Sequence, residues 1–275
     1  MFELNTLVSG IAFGESPRWH DGRLWFADWG TREIIAAGAD GVTEVVVGPE
    51  AAPWCFDWLP DGRMLIVSSE RERLLRREPD GTIVTHADLG GLDVHQWNDI
   101  AVDGRGNAYV GNIGFDFPGG EFAPGILAVV TPDGTARVAA TGVAFPNGMA
   151  VTSDGGALIL AESYANRLTA FDIAPDGSLS GRRIWADLPG GYPDGICLDA
   201  EGAVWYGDVP NQQAVRVREG GEVLDTIKLD RGCFACALGG NTLYLVATEF
   251  AGTVTGPDQP RTGQILTVPV PVSAA

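Results

Sequence analysis

The sequence is short of cations and has no long apolar segment. Its 275 residues include 18 Lys or Arg against 36 Asp or Glu, for a net charge of −18. This charge repels polyanions, which excludes nucleic acid and anionic membranes as partners. No apolar run reaches the roughly 18 residues of a membrane span, and the opening residues, MFELNTLVSG, do not resemble a secretory signal. We therefore expect a cytoplasmic protein.

Cysteine is also scarce. The chain has four cysteines, Cys55, Cys197, Cys233 and Cys236, which are too few to stabilise a protein of this length by disulfide bonds. Without an export signal, we expect free thiols. Cys233 and Cys236 form one C-x-x-C with no second pair nearby. This leaves two interpretations open, a zinc or redox role and the packing of small buried residues.

Glycine, in contrast, is abundant, with 38 residues, and much of it recurs in a pattern. Six glycines are each followed three positions later by a large residue, at spacings of 40, 44, 49, 47 and 38 residues. They are Gly22, Gly62, Gly106, Gly155, Gly202 and Gly240. A second series marks another hairpin turn in each unit: Gly41, Gly81, Gly134, Gly177 and Gly221. A repeat of this length, with two tight turns, is typical of a four-stranded propeller blade.

The repeat predicts an all-β fold, a six-bladed β-propeller with four antiparallel strands per blade, as one domain over residues 1–275. The sixth unit ends after its third strand, QILTVPVPV, so we expect residues 3–9 to supply the outer strand and close the last blade. An eight-stranded barrel or two sandwiches would not predict six matched turns.

Four oxygen side chains occupy related positions before the inner strands. Asn98, Asn147 and Asp194 lie eight residues before a turn glycine, and Glu15 lies seven before Gly22. Equivalent positions in successive blades converge on the propeller axis, so these side chains are expected to meet. The segments before the inner strands and the loops after the second strands are expected to surround one mouth of the central channel, where the site would lie. Such a set suits a hard cation such as Ca²⁺, Mg²⁺ or Mn²⁺. The alternative is that each residue makes local turn hydrogen bonds.

Four segments carry a family resemblance: GESPRW at Glu15, WND at Asn98, FPNGMAVTSDG at Asn147 and YPDGICLD at Asp194. In this order and spacing they resemble the senescence-marker-protein, gluconolactonase and regucalcin family over essentially the full chain. The resemblance implies one divalent cation held by Glu15, Asn147 and Asp194, with Asn98 close to or among the ligands. It also implies lactone hydrolysis, with Asp194 as ligand and general base. Ca²⁺ is the expected ion, with Mg²⁺, Mn²⁺, Zn²⁺ and Fe²⁺ as alternatives.

Three neighbours of Asn98 are further candidates. Asp99 is a second possible base, and its alternatives are contact with a substrate hydroxyl or anchoring of the turn. Sugar lactonases of the family commonly have Arg two residues before the matching Asn, where this chain has Gln96. Gln offers a neutral amide instead of the charged guanidinium group of arginine, which argues against a sugar-acid lactone as the substrate. His95 is expected to bind substrate at the mouth or to lie on the surface.

The loops assigned to the same mouth are rich in aromatic residues. An insertion in the third unit, IGFDFPGGEFAPG, contributes Phe115, Phe117 and Phe122, and Tyr164 lies on the corresponding loop of the fourth. They predict an apolar pocket for a hydrophobic lactone or ester; the alternative is that they pack the loops onto the rim.

These features together predict a divalent-metal-dependent hydrolase that opens a lactone other than a simple sugar lactone. The alternatives are hydrolysis of a phosphotriester or another ester at the same metal, and a non-enzymatic propeller that binds calcium or a protein. No G-x-S-x-G motif is present, which disfavours a serine nucleophile.

Overall fold

Six four-stranded antiparallel sheets make up the computed structural model, which describes residues 2–68, 72–250 and 260–275. Strand β1 (Asn5–Ile11) precedes the first blade. Blade 1 contains β2 (Gly14–His20), β3 (Arg23–Asp28), β4 (Glu33–Ala37) and β5 (Thr43–Val47). Blade 2 contains β6 (Cys55–Trp58), β7 (Met64–Ser68), β8 (Arg73–Arg77) and β9 (Ile83–Asp88). Blade 3 contains β10 (Trp97–Val102), β11 (Ala108–Asn112), β12 (Gly125–Val130) and β13 (Ala136–Val143).

The remaining blades follow the same plan. Blade 4 contains β14 (Pro146–Val151), β15 (Ala157–Glu162), β16 (Arg167–Ile173) and β17 (Leu179–Asp187). Blade 5 contains β18 (Pro193–Leu198), β19 (Val204–Asp208), β20 (Gln213–Val217) and β21 (Val223–Lys228). Blade 6 contains β22 (Gly232–Gly239), β23 (Thr242–Thr248), β24 (Gly263–Pro269) and β1. Short 3-10 turns occur at Pro49–Ala51 and Ser163–Ala165.

The first strand of each blade packs against the first strands of both neighbouring blades, which closes a ring around a central axis. The core lies between successive blades. It includes the large residue three positions after a turn glycine in blades 2 to 6: Leu65, Tyr109, Leu158, Trp205 and Leu243, all 0 or 1 % exposed. The predicted six-bladed propeller is confirmed.

The glycine repeat marks the turns as predicted. All six glycines of the first series have positive φ, from 57° to 87°, between the first and second strands of their blades. The five glycines of the second series also have positive φ, from 77° to 91°. Because a side chain disfavours this conformation, glycine is selected at these turns.

The N-terminal strand closes the last blade. β1 pairs antiparallel with β24, from Asn5 opposite Thr267 to Ile11 opposite Gly263. The strand was predicted over residues 3–9 and lies two residues later. Its pairing has two register irregularities, and the two residues after it, Ala12 and Phe13, are held by the Asp28 carboxylate. Asp28 therefore fixes the link between the end of β1 and the start of blade 1.

The cysteines lie within the inner part of the fold. Cys233 and Cys236 are buried in β22, and all four cysteines are free thiols. Burial raises the pKa of both thiols well above the ordinary value, which agrees with a packing role.

Two further predictions concern the extent of the domain and membrane-spanning segments. The prediction of one domain over residues 1–275 includes residues 1, 69–71 and 251–259, which lie outside the described residues. Among the residues that are described, no helix has the length and apolar character needed to cross a membrane.

Candidate functional site

The four predicted oxygen ligands lie at irregularities in the inner strands. The pairing of the inner strand with the second strand shifts register after Glu15 in blade 1, and across the segments that contain Asn98, Asn147 and Asp194 in blades 3, 4 and 5. A β-bulge turns a side chain away from the regular alternation of a strand. The same irregularity occurs at the same place in these four blades, and all four side chains line one cavity at the mouth.

Close backbone approach brings the ligands of blades 4 and 5 together. Asn147 is followed by Gly148, where an added Cβ would lie 2.5 Å from Ile196 N and 2.6 Å from Asp194 O. Any side chain there would push β14 away from β18. Glycine at position 148 therefore sets the spacing between Asn147 and Asp194.

The two asparagine amides are oriented by fixed acceptors. Asn98 Nδ2 donates to the carbonyl oxygen of Pro146 at 3.2 Å and, more weakly, to Asn147 Oδ1 at 3.4 Å. Asn147 Nδ2 donates to Ser163 Oγ at 3.2 Å. Because their amide nitrogens are used by these partners, the amide oxygens are the atoms left for a ligand.

The carboxylates of the site repel one another. Burial, followed by the charges of Asp194 and Asp99, raises the pKa of Glu15 well above its usual value, against the opposing effects of the Ser16 N–H and Arg18. Burial, followed by the charge of Asp99, also raises the pKa of Asp194, against a hydrogen bond from Asn147. Such a cluster of buried negative charge is costly to folding unless a cation or protons neutralise it.

These residues fit a hard divalent cation. Two carboxylates and two amide oxygens give the all-oxygen donor set that Ca²⁺ and Mg²⁺ prefer. Among the described residues, no cluster of three or more His, Cys, Asp or Glu has the arrangement of a metal site. The candidate set therefore depends on the amides of Asn98 and Asn147 as well as on Glu15 and Asp194.

Asp99 lies behind this set. It is 7 % exposed, it is not among the residues that line the cavity, and its Oδ1 lies 3.2 Å from Arg18 Nη2. The same carboxylate oxygen accepts the N–H of Ile100 at 2.8 Å. Its predicted role as a base is untested and stays a prediction.

The mouth cavity has a volume of about 280 Å³ and mainly aromatic walls. One wall contains Trp29 stacked on Trp54, with ring centroids 3.9 Å apart, and the other contains Phe145 stacked on Tyr164 at 4.7 Å. The other aromatic lining residues are Phe13, Phe117, Tyr192, Phe234 and Phe250. Within the described part of the chain, no Lys, Arg or His lines this cavity.

The other predicted substrate contacts divide into two groups. Gln96, Phe117 and Tyr164 line the cavity with Asn98. His95 and Phe115 do not. His95 Nδ1 lies 2.7 Å from Asp93 Oδ1, and Phe115 is 5 % exposed, behind Phe145 and Tyr164. Their contact with substrate stays a prediction.

Sequence reasoning missed several lining residues, among them Phe13, Ile113, Phe145, Ser163, Tyr192 and Phe234. A signal existed for Ser163. It directly follows β15, the second strand of blade 4, and the loops after second strands were assigned to the mouth. Phe145 is the first residue of the motif FPNGMAVTSDG that contains Asn147, but its left-handed backbone, with φ of 56°, has no counterpart in the sequence pattern.

The fold and the candidate site place the chain among six-bladed propellers with acidic and amide side chains at one end of the axis. Comparison with known proteins identifies the family. Residues 13–249 match the SMP-30/Gluconolactonase/LRE-like region. The chain belongs to this family.

Two relatives and one solved structure are similar to this chain. The chain is 31 % identical over 161 residues to diisopropyl-fluorophosphatase of Loligo vulgaris, a match that covers 51 % of this chain and 50 % of that protein. It is 27 % identical over 168 residues to 6-deoxy-6-sulfogluconolactonase of Pseudomonas putida, covering 58 % and 56 %. These matches span about half the length of each relative. The structure of a calcium-binding protein, regucalcin, from Agrobacterium tumefaciens is similar in fold, with a TM-score of 0.83, 21 % identity and coverage of 100 % and 96 %.

Proposed function

We propose that the protein is a divalent-cation-dependent hydrolase that opens a lactone, with Glu15, Asn98, Asn147 and Asp194 as the residues that would hold the cation. The observation that carries this proposal is the presence of two mutually repelling carboxylates and two oriented amides in one cavity. Ca²⁺ is the ion we expect, because the donor set is hard oxygen and a structurally similar protein is calcium-binding.

The chemistry divides between the ion and the chain. A bound divalent cation supplies Lewis acidity, which polarises an ester carbonyl and stabilises the charge that develops on its oxygen. Asp194 borders the cavity, so its carboxylate is available to accept a proton from an attacking water. Asp99 is held by Arg18 outside the cavity lining, which favours Asp194 over Asp99 as the base.

The cavity lining supports a neutral, apolar substrate. A sugar-acid lactone offers many hydroxyl groups and requires polar partners, whereas Gln96 stands among aromatic walls here. An anionic substrate would enter beside Glu15 and Asp194 without a cationic lining residue in the described part of the chain. We therefore propose a lactone with a hydrophobic substituent.

A second candidate is hydrolysis of a phosphorus ester at the same site. It is favoured by the 31 % identity to diisopropyl-fluorophosphatase, whose name gives a neutral phosphorus substrate with apolar groups. Such a compound would meet the same requirements of charge and polarity in this cavity.

The test is a substrate panel with protein that has been stripped of metal by a chelator and then supplied with Ca²⁺, Mg²⁺ or Mn²⁺. The panel contains an alkyl-substituted lactone, an aromatic lactone, gluconolactone and diisopropyl fluorophosphate. We expect turnover that requires the cation and is fastest with the apolar lactones. Faster turnover of the phosphorus ester would select the second candidate. Failure of every compound with every ion would contradict the enzymatic proposal and favour a binding propeller.

A further inference from the structure

Ser163 connects two of the candidate cation ligands. It stands on the 3-10 turn Ser163–Ala165, which follows β15, and is 9 % exposed at the floor of the cavity. Its Oγ donates to the carbonyl oxygen of Pro193 at 2.7 Å and accepts a hydrogen bond from Asn147 Nδ2 at 3.2 Å. One hydroxyl thereby joins Asn147 of blade 4 to the residue that precedes Asp194 of blade 5.

Together with the hydrogen bond that Asn147 donates to Asp194, these two contacts determine how the Asn147 amide is turned. A serine hydroxyl has one proton, and the Pro193 carbonyl can only accept, so that proton is committed to Pro193. Oγ then offers only lone pairs to Asn147, and the group that faces it must be the NH₂ of the amide. With Nδ2 turned to Ser163, Asn147 Oδ1 faces the side from which Asn98 Nδ2 approaches at 3.4 Å.

The same contacts argue against a nucleophilic serine. A serine nucleophile needs a base that accepts its proton, such as histidine. Within the described part of the chain, the hydrogen-bond partners of the Ser163 hydroxyl are a main-chain carbonyl and an amide NH₂, neither of which is a base. The hydroxyl therefore holds other groups in place.

We propose that Ser163 is a positioning residue for the cation site. It presents the oxygen of Asn147 to the ion and anchors the backbone at Pro193, next to Asp194. This inference rests on the proposed function, because it assigns Asn147 and Asp194 as ligands. Partners of metal ligands outside the coordination sphere typically contribute 10–100-fold to metal affinity.

The experiment measures Ca²⁺ binding to metal-free protein by titration calorimetry. Ser163→Ala removes both hydrogen bonds, and we expect Ca²⁺ affinity to fall by about 10–100-fold. Ser163→Thr keeps the hydroxyl, so it should recover most of the lost affinity. Urea unfolding of the metal-free variants provides a second readout, which reports stability without the ion.

Ser68→Ala is the matched control. Ser68 is fully buried, its Oγ donates to the carbonyl oxygen of Ala51 at 2.8 Å, and it does not line the cavity. Its replacement removes a comparable hydrogen bond with no link to Asn147, so Ca²⁺ affinity should stay at the wild-type value even if stability falls.

The outcomes separate the inference from the proposed function. If wild-type protein binds Ca²⁺ and Ser163→Ala binds it equally well, the role of Ser163 is disproved while the cation site stands. An equal loss of affinity in Ser68→Ala and Ser163→Ala would also disprove it, because the loss would then follow from general destabilisation. If the wild type binds none of Ca²⁺, Mg²⁺ and Mn²⁺, the proposed cation site itself fails, and the assignment of Ser163 fails with it.

Discussion

Arg18 Nη2 lies 3.2 Å from Asp99 Oδ1, in a region that also contains the carboxylates of Glu15 and Asp57. The guanidinium is mostly buried, and it also donates to the carbonyl oxygens of Ile100 at 2.8 Å and Pro17 at 3.0 Å. The pKa of Arg18 is raised: burial lowers it, but the charges of Asp99 and Asp57 outweigh that effect. Arg18 is thus a built-in cation that offsets part of the negative charge beneath the cavity.

Replacing Arg18 should therefore destabilise the protein strongly. Arg18→Met keeps much of the side-chain volume but leaves Asp99 buried without its partner, and breaking a buried pair in this way costs about 3–5 kcal/mol. Urea unfolding of the metal-free protein measures the change in unfolding free energy. Arg23→Met is the control, because the Arg23–Glu44 pair is accessible to solvent, with 35 and 64 % of the two side chains exposed, and should contribute at most about 1 kcal/mol. Similar losses in the two variants would refute the role given to Arg18.

Glu15→Gln should affect stability and cation binding in opposite directions. The amide removes a charge that burial and Asp194 disfavour, so the metal-free variant should be at least as stable as the wild type. Ca²⁺ affinity should fall by at least roughly 100-fold, since a direct ligand contributes more than its supporting partners. Thermal unfolding with and without Ca²⁺ reports both effects: Ca²⁺ should raise the wild-type midpoint and leave that of the variant nearly unchanged.

Glu162→Gln makes the same change where the opposite result is expected. Glu162 is fully buried, but Arg167 and Arg182 lie 3.0 and 3.2 Å from its Oε1. Loss of its charge should destabilise the metal-free protein and leave Ca²⁺ binding intact. A metal-free Glu15→Gln protein that is destabilised to the same extent would contradict the assignment of Glu15 to a cation site.

Much of this fold was predictable from its turns. The glycines at positions such as Gly22 and Gly62 are required by local backbone conformation, so their spacing reports the blade repeat directly. Convergence of Glu15, Asn147 and Asp194 in one cavity follows from that repeat, because equivalent positions of successive blades face the same axis.

The remaining features of the site depend on contacts between distant segments. The ion pair of Arg18 with Asp99 joins residues 81 positions apart, and the hydrogen bond from Ser163 to Pro193 joins residues 30 apart. Side-chain direction within a loop is equally hidden. Phe115 and Phe117 belong to one insertion, yet only Phe117 lines the cavity.

The stability of the metal-free protein should depend on pH through Glu15. Its pKa is raised in the folded state by burial and by Asp194, so the folded protein binds this proton more tightly than the unfolded chain does. The resulting stabilisation is complete below the ordinary value of 4.5 and is lost as pH rises through the folded-state pKa. Relative to Glu15→Gln, the metal-free wild type should therefore lose stability as pH rises above 4.5.

Urea unfolding of both metal-free proteins across this pH range gives the difference in stability directly, and titrating groups that do not interact with Glu15 cancel in it. Saturating Ca²⁺ should reverse the trend for the wild type, because the ion competes with protons for the carboxylates. A wild-type protein that becomes more stable than Glu15→Gln as pH rises in the absence of metal would show that the Glu15 pKa is lowered instead of raised.

Phe117 provides a test of the apolar wall that does not involve the cation ligands. It lines the cavity and meets Phe145 edge to face, with ring centroids 5.0 Å apart. Phe117→Ala should reduce kcat/KM about tenfold for a lactone with an alkyl or aromatic substituent, which corresponds to about 1.4 kcal/mol of lost apolar contact. Its effect on a lactone without such a substituent should be small, because that substrate does not reach the wall.

Phe122→Ala is the control from the same insertion. Phe122 is 48 % exposed and contacts Phe115 and Tyr164 without lining the cavity. It should leave the selectivity between substituted and unsubstituted lactones unchanged. Parallel losses for both lactones in Phe117→Ala would indicate that the insertion only supports the rim, whereas a loss confined to the substituted lactone requires direct contact between substrate and wall.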